Sequence, residues 1–147
     1  MEIRQITENK GEFMPLLLLG DEQEELIYQY LDSCTLFALY DPELCAVCAL
    51  AEKPEKTMEI KNLAVAPHKQ RKGYGRAMLA YLEQVYRDRT ERWIAGTGES
   101  PLTLPFYEAC GFRIFKREEN FFLENYDHPI FEAGVQLKDR IYLEKKG

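Results

Sequence analysis

The sequence predicts an α/β fold, a mixed sheet of about seven strands in one domain spanning residues 1–147. Three observations predict it. Residues 35–66 read as three strands joined by hairpin-length turns, Asp41-Pro42-Glu43 and Glu52-Lys53-Pro54-Glu55-Lys56. Residues 57–86 read as a strand, a glycine-punctuated turn and an amphipathic helix. Further on, strand patterns at 91–97, 112–116 and 135–143 surround a short helix over 101–110 that stops at Gly111.

In chain order, alternation over residues 2–6 gives a first strand. Residues 9–19 predict a helix, weakened by Gly11 and Pro15. Asp21 with Glu24 reads as the cap of a second helix, whose apolar face is Leu26, Ile27, Tyr30 and Leu31. Glu22, Glu24 and Glu25 fall in its first turn, where negative charge favours the helix dipole; lining the entrance of a basic substrate is their second reading. The meander then runs through 35–40, 44–51 and 57–66, stopping at Pro67, which cannot donate to a ladder. The next helix carries Tyr74, Met78, Leu82, Val85 and Tyr86 on one face, with Glu83 and Arg87 paired on the wet side. The long segment before the last strand is rich in Phe, Tyr and Glu.

Composition narrows the function class. The chain has 46% hydrophobic residues and a net charge of −6, a well-packed acidic protein. The acidic balance argues against nucleic-acid binding and suits a small cationic partner. No apolar run is long enough for a membrane span, and the first residues do not read as a signal peptide. Cys34, Cys45, Cys48 and Cys110 invite a metal or disulfide reading. On a strand, however, the thiols of Cys45-x-x-Cys48 diverge, and there is no second such pair or spaced His pair. Buried reduced thiols, no metal and a cytoplasmic location are therefore expected. A homodimer is left open.

The most informative stretch is Gln70-Arg71-Lys72-Gly73-Tyr74-Gly75-Arg76. It places two glycines and several cations, with Lys69 beside them, where a helix begins. Helix N-termini have unpaired N–H groups and partial positive charge, and glycine lets a phosphate approach the backbone closely. The dinucleotide fingerprint fails because its third glycine position is Met78, and the nucleoside-triphosphate loop pattern is absent.

What remains, Gln70-x-x-Gly73-x-Gly75 after Leu63-Ala64-Val65, resembles the acetyl-CoA loop of the GCN5-related N-acetyltransferase (GNAT) superfamily. Phe106-Tyr107-Glu108-Ala109-Cys110-Gly111-Phe112 is similar to a second segment of that superfamily, and the element order matches. More loosely, Gly96-Thr97-Gly98 and the segment from Asn120 to Val135 resemble the bacterial aminoglycoside 6′-N-acetyltransferase-like group. The resemblance implies helices on both faces of the sheet and acetyl transfer from acetyl-CoA to a primary amine of a small molecule or peptide.

That chemistry needs a neutral amine, and at pH 7 only about one lysine-like amine in two thousand is neutral, a deficit of roughly 4–5 kcal/mol. It also needs an oxyanion donor and a proton for the departing thiolate. The resemblance implies the backbone N–H of Val65 as that donor, with Leu63 and Ala64 beside it against the pantetheine. The backbone of Gln70, Arg71, Lys72, Gly73, Tyr74, Gly75 and Arg76 would hold the pyrophosphate. Tyr107 matches the usual general acid; Ser100 stands where other members place a cofactor-contacting asparagine. Glu59 is the leading base, because strand parity would put Glu59, Lys61, Leu63 and Val65 on one side unless a bulge intervenes. A water relay, His68 and His128 are alternatives for the base. Two rival functions stay open: a non-catalytic CoA-binding sensor or regulatory module, and a nucleotide-binding protein without CoA preference.

Overall fold

The structure, a computed structural model, describes residues 1–21 and 23–147, so Glu22 of the expected acidic first turn lies outside it. The chain divides into two compact units, Met1–Glu91 and Arg92–Gly147.

In the first unit β1 (Glu2–Ile6), β2 (Thr35–Tyr40), β3 (Leu44–Lys53) and β4 (Thr57–Val65) lie side by side in sequence order. Every neighbouring pair is antiparallel, as the hairpin-length connections require. Glu55 and Lys56 take left-handed φ values of 62° and 54°, the hand that closes a tight hairpin on twisted strands.

Alternate strand residues feed two faces. Leu36, Ala38, Val47, Ala49 and Ala64 join one buried cluster with Phe13, Leu17, Ile27 and Leu31. The opposite face offers Phe37, whose ring meets Tyr81 and Tyr86 edge-on, each at 6.3 Å between centroids.

The helix expected over 9–19 begins instead as a 3-10 turn, Lys10–Phe13, and becomes α1 only at Met14–Gly20. Pro15 does not break it, because Pro15 occupies the first turn, where no N–H partner is needed. Asp21 is not the cap of α2 (Glu24–Leu31); that position is Gln23, with no capping side chain. Asp21 closes α1, its N–H donating to the Leu17 carbonyl at 3.1 Å. α3 (Tyr74–Val85) buries Met78, Leu79 and Leu82, with Tyr86 just beyond its end. Val85 is 48% exposed, a correction to the expected apolar face: Leu79 takes the place assigned to it. At about 1.5–3 kcal/mol per fully buried large apolar side chain, this stripe holds α3 without caps.

In the second unit β9 (Arg140–Lys146) is central, antiparallel to β5 (Arg92–Gly98) on one side and β6 (Arg113–Glu118) on the other. Trp93, Ala95, Ile141 and Leu143 are buried there. α4 (Leu104–Ala109) ends ahead of Gly111, whose φ of 98° makes the stop. The segment read as a long connection contains α5 (Phe121–Asn125) and a small hairpin, β7 (Phe131–Glu132) with β8 (Val135–Gln136). The single strand expected over 135–143 is therefore two, parted at Leu137, whose N–H donates to the Ile130 carbonyl at 2.8 Å and so closes the hairpin. Among the described residues the first unit thus contributes four main strands and the second three, the number the α/β expectation required.

Candidate active site

The glycine loop leaves β4 through a 3-10 turn, Pro67–Lys69, and enters α3 at Gly73. Two residues in the left-handed region flank Lys72: Arg71 at φ 63° and Gly73 at φ 88°. Such a conformation costs a non-glycine residue roughly 1–2 kcal/mol, which explains the glycine at the second position. A Cβ added at Gly73 would meet nothing within 4 Å, so the space beside it is open. No side chain caps the start of α3, and Arg71, Lys72 and Arg76 are exposed around it. An open, uncapped, positively charged helix start is what a pyrophosphate needs. The residues present therefore fit CoA.

Two side chains brace this loop. The Gln70 side-chain amide donates to the Val65 carbonyl at 3.1 Å, tying the loop to the strand end. The Tyr74 hydroxyl donates to Asp41 Oδ2 at 2.7 Å, tying the start of α3 to the β2–β3 turn. That bond holds the Asp41 carboxyl below its usual range and pushes the Tyr74 hydroxyl up to about 12. The tether from Asp41 escaped sequence reading, because nothing local couples residues 33 positions apart.

On β4 the ladder phase matters. Ala66 N–H donates to the Cys45 carbonyl at 2.8 Å, and the register continues as Ala46↔Val65, Val47↔Ala64 and Cys48↔Leu63. Antiparallel pairs alternate between hydrogen-bonded and non-bonded. Ala64 therefore turns its backbone toward β3, whereas Leu63 and Val65 turn theirs away from it. This corrects the expectation for Ala64, which offers its methyl to the core rather than a backbone group to a cofactor.

The parity argument for Glu59 also needs correction. The register jumps from Ala49↔Asn62 to Leu50↔Ile60, so Lys61 is the extra residue of a bulge. Glu59 faces Ala51, and Asn62 faces Ala49, on the side covered by α1 and α2. Leu63 and Val65 fall on the other side. Glu59 is 8% exposed, with Lys53 Nζ at 3.5 Å and Lys61 Nζ at 3.7 Å from its carboxylate oxygens. Asn62, also buried, donates from Nδ2 to the Leu17 carbonyl at 2.9 Å and to the Tyr30 hydroxyl at 3.1 Å. Burial raises the Tyr30 hydroxyl well above its ordinary pKa. A polar asparagine two residues before Ala64, on the side of β4 that feeds the core, was the available signal for this network.

In the second unit Tyr107 is buried on α4, its ring edge-on to Phe106 at 5.2 Å and Phe112 at 5.3 Å. Ser100 is buried, and its Oγ accepts from the Leu102 N–H at 3.0 Å, shaping the turn into α4. His68 lies 3.8 Å from Glu43 in the first unit, and His128 pairs with Asp127 in the second; all four are exposed. The four cysteines are free thiols, and burial raises the Cys48 thiol. Among the described residues no group of three or more His, Cys, Asp or Glu is placed to hold a metal, and no helix is long and apolar enough to cross a membrane.

The model of the acetyltransferase (GNAT) family matches residues 5–112. This chain belongs to that family. The uncharacterized N-acetyltransferase YvbK of Bacillus subtilis is 35% identical over 142 residues, 93% of this chain and 92% of that protein. An IAA acetyltransferase from Bacillus cereus has the same fold at a TM-score of 0.91, with 33% identity and 99% of both chains covered. A GNAT acetyltransferase from Elizabethkingia anophelis, solved with acetyl-CoA bound, also reaches 0.91, with 35% identity over 99% of this chain and 97% of that one. A Bacillus subtilis acetyltransferase solved in complex with CoA reaches 0.88, with 33% identity over 99% of this chain and 98% of that one. The superfamily resemblance read from the two motifs is thereby established, and with it the GNAT fold and an acetyltransferase activity.

Proposed function

We propose that residues 1–147 act as a single cytoplasmic domain that moves acetyl from acetyl-CoA to a primary amine of a small molecule or peptide. The observation that carries this reading is the open, uncapped start of α3 behind a left-handed Gly73. Its support from relatives is the acetyl-CoA and CoA held by the two similar structures named above.

Acetyl-CoA supplies an activated thioester acetyl. Loop amides from Gln70 to Arg76 hold its pyrophosphate, while Arg71, Lys72 and Arg76 add positive charge. The backbone groups of Leu63 and Val65 that turn away from β3 take the pantetheine. The Val65 N–H donates to the oxygen that becomes negative as the amine attacks. Glu59 removes the ammonium proton, directly or through water. Lys53 and Lys61 lie beside its two oxygens, at 3.5 and 3.7 Å. Tyr107 returns a proton to the departing thiolate, a task a neutral phenol performs at pH 7. Ser100 shapes the turn into α4 and so sets where Tyr107 stands. A cationic acceptor fits both the acidic balance of the chain and the carboxylate of Glu59.

The deciding experiment is a free-thiol release assay with acetyl-CoA over polyamines, aminoglycosides, amino acids and peptides. Thiol release with one amine class supports the reading. Acetyl-CoA binding without release for any amine would leave a CoA-binding sensor. Thermal protection by ATP or NAD but not by acetyl-CoA would leave a nucleotide-binding protein. Sedimentation at equilibrium tests the homodimer.

A further inference from the structure

The bulge at Lys61 has a chemical effect. Glu59 presents a buried carboxylate toward α1 and α2, and beside it Lys61 Nζ lies 5.5 Å from the centroid of the Tyr30 ring. The same ammonium is 3.7 Å from Glu59 Oε2. A carboxylate and an aromatic face converging on one point form a recognition site for an alkylammonium. The ring is held in place, since its hydroxyl accepts from Asn62 and is hydrogen-bonded to Asp21. Lys10 Nζ steadies the end of α2 beneath it through the Leu31 and Cys34 carbonyls, at 3.3 and 2.6 Å. Lys53 reaches Glu59 from the other oxygen but makes no such ring contact; its side chain is 44% exposed against 26% for Lys61.

We infer that Lys61 is a tethered stand-in for the acceptor: its ammonium fills the Glu59–Tyr30 site, and an acceptor amine must displace it. This deepens the proposed function and rests on it for the identity of the incoming amine. The occupant defines the class it mimics. Lys61 brings an unbranched four-carbon chain ending in a primary ammonium, so the site takes terminal alkylamines of the lysine side-chain or polyamine type. The α-amino group of a free amino acid is disfavoured, since its neighbouring carboxylate would be pressed against Glu59. The same arrangement keeps Glu59 paired until an acceptor arrives.

The test is calorimetric titration of the full chain with n-butylammonium chloride near pH 7.5, which needs no turnover. Lys61→Met removes the competitor at similar length and should tighten butylammonium binding about fivefold, the combined worth of one partly exposed ion pair and one cation–π contact. Lys61→Gln should do the same. Lys53→Met removes an equal charge near Glu59 and should change affinity about twofold or less. Adding Glu59→Gln to Lys61→Met should abolish the gain. Equal affinity in wild type and Lys61→Met, an equal gain in Lys53→Met, or no binding by any variant would each overturn the inference. The thiol-release assay separates this from the proposed function. Amine acetylation with no Lys61 effect sinks only the inference. Tight butylammonium binding by Lys61→Met without acetylation of any amine sinks only the transfer reaction.

Discussion

The Gln70 side-chain amide donates to the carbonyl of Val65 at 3.1 Å, joining the first residue of the glycine motif to the last residue of β4. One hydrogen bond thus sets where the phosphate loop stands relative to the strand end proposed to hold the thioester. Gln70→Leu keeps the volume and removes the donor. A bond of this kind is worth about 1 kcal/mol net. The acetyl-CoA Kd should rise about fivefold by calorimetry, with the melting temperature nearly unchanged because Gln70 is exposed.

Gly73 separates backbone strain from obstruction. Asparagine tolerates the left-handed region, so Gly73→Asn should fold with a stability close to wild type. Its side chain would project into the open space where the pyrophosphate is proposed to lie. The expected result is a loss of acetyl-CoA affinity of tenfold or more in Gly73→Asn, and of all measurable binding in Gly73→Val. Unchanged affinity in Gly73→Asn would move the phosphate elsewhere.

Tyr107→Phe keeps the ring that packs edge-on to Phe106 and Phe112. Only the hydroxyl is lost. If that hydroxyl protonates the leaving thiolate, kcat should fall by ~10²-fold or more, with the acetyl-CoA Kd unchanged. Equal turnover would remove Tyr107 from the chemistry.

Most of the elements and the glycine turn before α3 were legible because each rests on local signals: alternation, hairpin-length turns, a proline that ends a strand, glycines before a helix. Misreadings arose where distant contacts decide. Asp21 carries a capping residue's side chain yet closes α1, and Val85 sits at a helical period yet loses its place in the core to Leu79. Parity along β4 failed at one residue, since a bulge leaves no local mark in sequence. The tether from Tyr74 to Asp41 and the lysines around Glu59 likewise needed the folded chain.

That tether also predicts a pH profile. The hydrogen bond from Tyr74 holds the Asp41 carboxyl below its ordinary value of 3.8, so its contribution is present above about pH 4 and lost as the pH falls through its folded value. The Tyr74 hydroxyl is raised from 10.0 to about 12, so its contribution is present below pH 10 and lost as the pH rises toward 12. The melting-temperature difference between wild type and Asp41→Asn should be flat from about pH 5 to 9 and shrink outside that window. A difference that grows in acid would contradict the assigned pairing.

Gly20 and Asn62 should couple. A Cβ at Gly20 would lie 2.2 Å from Asn62 Oδ1, so Gly20→Ala must displace an amide that holds both the Leu17 carbonyl and the Tyr30 hydroxyl. Denaturant melts should show a loss of about 1–3 kcal/mol for Gly20→Ala. In the Asn62→Ala background the same change should cost clearly less. Strict additivity would mean that the amide simply swings aside.

The extra residue in β4 also bears on how acceptor preference could change over time. Deleting one codon at Lys61 would restore strict alternation and leave Ile60 opposite Leu50 and Glu59 opposite Ala51. Glu59 would keep its side of the sheet and lose the ammonium that lies beside it and over the Tyr30 ring, so an incoming amine would meet a carboxylate and aromatic face cleared of Lys61. Relatives with similar loops can thus diverge in acceptor through a single in-frame deletion, without touching the loop proposed to hold CoA.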